Sequence, residues 1–146
     1  MSLANWLNDK LIVQHYPSPG EIADLLKICD RDLEKANIID LGPDWRLSIA
    51  HNAALQAATA ALAASGFRVR GEGQHYRLLQ SLAFTLKTNA VTIKQLDKFR
   101  QKRNFSDYQR AGTISDQEAA EMIALAVKLR CQVEEWIRAN HPDLIK

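Results

Sequence analysis

Cysteine is scarce in this chain: two residues in 146, Cys29 and Cys131. So widely spaced a pair builds no disulfide framework and fits a reducing compartment. Proline and glycine are few, four and six, which excludes collagen-like and low-complexity sequence. Long apolar runs are lacking. The longest, 53–64, is broken by Gln56 and Thr59 and is mostly alanine, too short and too weakly apolar to span a bilayer. Asn5, Asn8 and Asp9 stand where a secretory leader has its apolar core. No large charge excess exists either, since 19 basic and 17 acidic residues leave +2. The four histidines are scattered, without His-x-x-x-His or Cys-x-x-Cys spacing, so no metal site is expected. No Gly-x-x-x-x-Gly-Lys loop and no Gly-x-Ser-x-Gly elbow is present, and no cofactor is expected. With a hydrophobic fraction of 47%, the chain has the means to build a core. The expectation is a cytoplasmic, soluble protein with no membrane segment.

Helix signals dominate what is there. Ser18-Pro19-Gly20-Glu21 is a capping box with proline at the first helical position. Ile22, Leu25, Leu26, Cys29, Leu33 and Ala36 follow at steps of three and four, which predicts a helix over 19–37. Asp44 is read as the cap of a second helix over 45–65, whose eight alanines between 53 and 64 suit close approach by neighbours. Gly66 marks its end. Phe67 and Val69 alternate like a short strand, but one without an evident partner. A third helix is expected over 74–87 with Tyr76, Leu79, Leu82, Ala83 and Leu86 inward, and a fourth over 91–107 with Leu96, Phe99 and Arg103 on one stripe. Ser115-Asp116-Gln117-Glu118 is a second capping box, opening a helix that ends at Asn140 before Pro142. The expected fold is all-α: one antiparallel bundle of about five helices over 18–142, after an extension, 1–17, that holds a short helix at 3–8. Both cysteines fall on apolar helix faces, where burial accounts for them.

Charge is unevenly divided. Between Arg68 and Arg110 ten basic residues face three acidic ones; the rest of the chain has nine basic and fourteen acidic. A segment of +7 in a chain of −5 elsewhere is either a solvated helix face or an attractor of polyanions. Within it, Arg103 and Asp107 are spaced i, i+4, as are Arg100 and Asn104. Arg103 with Asp107 is either a structural pair tying two helices together or part of a polar pocket. In the pocket, Arg100 and Arg103 hold a phosphate and Asn104 orients it. His51 is either a core histidine bonded to a carbonyl or a group aimed into the bundle. His75, at a helix start, is expected to stay neutral.

Arg103-Asn104 followed by Asp107-Tyr108 at the end of the fourth helix resembles the HEPN domain family (higher eukaryotes and prokaryotes nucleotide-binding). So do the stretch from Ala50-His51-Asn52 to Ala64-Ser65-Gly66, the Gly73-Gln74-His75-Tyr76 start and the capping box before the last helix. The likeness covers 19–140. It implies a helical bundle, commonly a two-fold homodimer with the polar motif near the dimer cleft. Many family members are metal-independent ribonucleases in toxin–antitoxin or defence systems. Their motif places His a few residues after Arg; Arg polarises the scissile phosphate and His is the acid or base. Here Tyr108, Gln109 and Arg110 occupy the positions where His is expected. Asp107 would have to move the proton, and a carboxylate beside Arg103 is a poor acid and a weak base.

Three functions follow from the likeness, in this order. The first is a non-catalytic module binding RNA, a nucleotide or a phosphate-bearing partner through Arg100, Arg103, Asn104, Tyr108, His51, Asn52 and His75. The second is a subunit that pairs with a nucleotidyltransferase-like protein. The third is an endoribonuclease with Arg103 and Asp107 as catalytic groups. A homodimer is expected separately, from Val133, Trp136 and Ile137 as apolar surface in need of cover.

Overall fold

A computed structural model describes residues 2–108 and 113–145, with the side chains of 105–108 left out. The described residues form six α-helices, α1 (Leu3–Asn8), α2 (Pro19–Ala36), α3 (Pro43–Ala64), α4 (Gln74–Ser81), α5 (Ala90–Tyr108) and α6 (Asp116–Asn140), and two short strands, β1 (Ile12–Gln14) and β2 (Phe67–Val69). The protein is an all-α bundle.

The caps act as their side chains dictate. Ser18 Oγ accepts the Glu21 amide at 3.1 Å, but the Glu21 carboxylate pairs with His15 at 2.7 Å, so only half of the expected box forms there; Ser115 and Glu118 complete a reciprocal one. The start of α3 differs from expectation. Gly42, at a φ of 84°, is the cap, and Pro43 takes the first helical position. Asp44 therefore sits inside the first turn, where the helix dipole favours a carboxylate. Arg46 reaches back from this turn and donates to the Ala36 carbonyl at 2.8 Å, closing the exposed end of α2.

Helix α3 is the axis of the molecule and packs against α2, α4, α5 and α6. Ala50, Ala53, Ala54, Ala57, Ala58, Ala60 and Ala61 are wholly buried. Methyl side chains on all sides let several helices lie close to one axis, where bulkier residues would hold them apart.

Two expectations need correction. Phe67–Val69 does have a partner, because β1 pairs with it antiparallel, Ile12 opposite Val69 and Gln14 opposite Phe67. Trp6 of α1 packs edge-on against Phe84, centroids 5.0 Å apart, so the first residues are stitched to the bundle. The third helix is also shorter than 74–87. Ser81 Oγ takes the Leu78 carbonyl at 2.6 Å and Thr85 Oγ1 that of Ser81 at 3.3 Å. Lys87 adopts a φ of 59°, and the chain turns away. Leu78, Leu79 and Leu82 take the core positions. Tyr76 and Ala83 lie outside them, exposed.

Candidate functional site

The packing of α3, α4 and α5 brings Arg100, Arg103 and His75 of the basic segment near one another. The loop into α4 is held by Arg77, whose Nη1 donates to the carbonyls of Arg70 and Glu72, both at 3.2 Å. Gly73, left-handed at a φ of 72°, then turns the chain into α4 and sets His75 and Tyr76 in its first turn. Across from them, Arg100 on α5 lies over the Tyr76 ring, its guanidinium carbon 5.6 Å from the centroid. Arg100 Nε donates to Asp97 Oδ1 at 2.6 Å rather than pairing with Asn104. Gln101 donates to the other Asp97 oxygen at 3.0 Å. Arg103, one turn further, is half-buried, and Asn104 is exposed.

Burial, and then Arg103 and Arg100, push the His75 pKa below its ordinary value. His75 is thus a neutral imidazole at neutral pH, and its place in the first turn of α4 acts in the same direction. His51 is wholly buried. Its Nε2 donates to the Leu96 carbonyl at 3.2 Å, which fixes the tautomer because a carbonyl only accepts. Its Nδ1 has no hydrogen-bond partner among the described residues. Burial pulls the His51 pKa down to about 4, against the pull of the Leu96 carbonyl and with help from Arg103, His75 and Arg100. The four groups therefore share one electrostatic neighbourhood. The two histidines are neutral in it, and its charges are the two arginines and the Asp97 carboxylate paired with Arg100.

Two predicted contact residues are placed otherwise. With none of its surface accessible, His51 ties α3 to α5 from behind the site and cannot touch a ligand. Asn52, its neighbour, is turned about 100° further round the helix and faces α2. Its amide donates to Asp32 Oδ2 of α2 at 2.7 Å. Asp32 is buried, and its other oxygen takes Arg31 at 3.0 Å. Asn52→Ala is expected to cost about 1–2 kcal/mol, because it strips a buried carboxylate of a donor, and to leave ligand binding unchanged. Urea unfolding beside a binding assay checks both. Asp107 and Tyr108 have side chains outside the described residues.

Lys102 of α5 pairs with Glu118 of α6; the alternative in which Arg103 and Asp107 tie two helices together lies outside the described residues. Lys102 holds the Glu118 carboxyl below its ordinary pKa. The supposed dimer surface also reads differently. Val133 and Ile137 are wholly buried within the one chain, and Trp136 is half-buried, edge-on to His141 at 5.2 Å. The slim face of α3 lets α6 settle deeply enough to cover them. The large apolar residues that remain exposed include Ile39, Trp45 and Val91. Cys131 is exposed, contrary to expectation, whereas Cys29 is buried and its thiol is pushed up to about 12, chiefly by burial.

Asp97 and Tyr76 are the residues that sequence reasoning missed here. The i, i+3 spacing of Asp97 and Arg100 was available as a signal. The outward turn of Tyr76 was not, because it depends on where α4 begins and ends. Among the described residues no group of His, Cys, Asp and Glu is placed to hold a metal ion, and no helix is long and apolar enough to cross a membrane. Compared with known proteins, the chain matches no family model and no curated sequence.

Proposed function

We propose that the protein is a HEPN-like helical module that binds RNA, a nucleotide or another phosphate-bearing partner at the Arg100–Arg103 end of α5, without catalysis. The convergence of Arg100, Arg103 and His75 beside the α4 start carries this reading. Both arginines act on His75, so their field overlaps at an accessible surface. A phosphate there meets planar guanidinium donors that match its oxygens, and a neutral imidazole that adds a hydrogen bond without competing for the charge. The concentration of basic residues in 68–110 supplies attraction at longer range.

The absence of catalysis follows from proton chemistry. The His75 imidazole, its pKa lowered by partial desolvation and by Arg103 and Arg100, is a weakened base, and His51 has no access to a substrate. Filter binding with single-stranded RNA at low salt tests the reading. Arg103→Ala is expected to weaken binding about tenfold, the loss of one charge-assisted contact. Unchanged affinity in Arg103→Ala, or RNA cut by the purified protein in EDTA, would contradict it. A role in a toxin–antitoxin or defence setting, as a homodimer or beside a nucleotidyltransferase-like partner, belongs to the same proposal and rests on the family likeness alone.

A further inference from the structure

Beside the arginines, α4 and α5 enclose a groove of about 340 Å³. One wall is Tyr76, a residue 44% exposed even with Arg100 lying over its ring. Ile93 lies at its apolar base, the Gln80 amide and the Asp97 carboxylate are polar groups on its sides, and Lys94 stands exposed at its edge. The groove continues into the phosphate site: Asp97, which lines it, accepts from Arg100.

We propose that this groove seats a base of a single-stranded nucleic acid, stacked on Tyr76, while the adjoining phosphates meet Arg100 and Arg103, one turn apart on α5. The inference rests on the phosphate-binding reading and extends it. Two features of the groove support it. An aromatic ring kept partly in water at the mouth of a cleft offers a π-face to any base, and a guanidinium against the same ring holds it in place. The amide and the carboxylate suit the donor and acceptor edge of a base better than they suit an aliphatic guest.

Fluorescence anisotropy with three probes tests this: a labelled RNA decamer, the abasic strand of equal length, and a labelled mononucleotide. Each is measured against the wild type, Tyr76→Ala, Tyr76→Phe and Arg103→Ala. The wild type is expected to bind the base-bearing strand at least about fivefold tighter than the abasic one, and tighter than the mononucleotide. Tyr76→Ala should erase the advantage over the abasic strand and Tyr76→Phe should keep it. Tyr76 is exposed, so the circular dichroism of both variants should match the wild type. Equal binding of base-bearing and abasic strands, both weakened by Arg103→Ala, overturns the base site and leaves the phosphate site standing. Equal affinity for the mononucleotide overturns the strand. Binding of none of the probes removes the phosphate reading along with this one.

Discussion

Lowering the pH from 7 to 4 is expected to cost the protein roughly 3 kcal/mol of stability through His51 alone. The ordinary imidazole pKa is 6.5, and in the folded protein that of His51 is about 4. As pH falls through 6.5 the unfolded chain takes up the proton first, so protonation favours unfolding. The stability tied to neutral His51 is thus complete above pH 6.5, declines below it and is gone near pH 4. Burial is the chief cause: a charged ring would have no water, and Arg103 and Arg100 would repel it. His75 titrates in the same direction. His51→Gln isolates the term, because an amide still donates to the Leu96 carbonyl but does not titrate. Chemical unfolding at several pH values should give curves for wild type and variant that converge toward pH 4. Parallel curves would mean that His51 is not the neutral buried group described.

Ala57→Leu is expected to destabilise the fold by about 2–3 kcal/mol. Ala57 is wholly buried on α3, the helix against which α2 and α6 both pack. Extra carbons have no void to enter there, so neighbouring helices must move apart or adopt poor rotamers. Ala124→Leu is the control. Ala124 is exposed in the middle of α6, where the same substitution should change stability by less than about 0.5 kcal/mol. Similar costs at both positions would remove α3 from its place as the close-packed axis.

Local chemistry explains which parts of the fold were legible in the sequence. Ser18 and Ser115 bond to amides three residues away, so their caps could be read from short strings of residues. Alanine density singled out α3 as central for the same reason. The pairing of β1 with β2 joins distant segments, and three-residue strands carry little pattern of their own. The end of α4 depended on Ser81 and Thr85 choosing backbone carbonyls, and Tyr76 was misplaced with it. At the site, the charge count picked out α5, and Arg100, Arg103 and His75 do come together. His51 and Asn52 are adjacent in sequence yet serve different sides of α3, one bonded to α5 and the other to α2. Which neighbour each would meet was set by the packing of helices far apart in the chain.

Salt dependence of binding is the most direct measure of whether the end of α5 is a phosphate site. Titration of single-stranded RNA over a range of salt concentrations should give a log affinity that falls linearly with log salt. The slope should be about −1.4 for two phosphate contacts, and close to zero in the Arg100→Ala, Arg103→Ala double variant. A protein that fails to bind at low salt, or a double variant with the wild-type slope, would contradict the account.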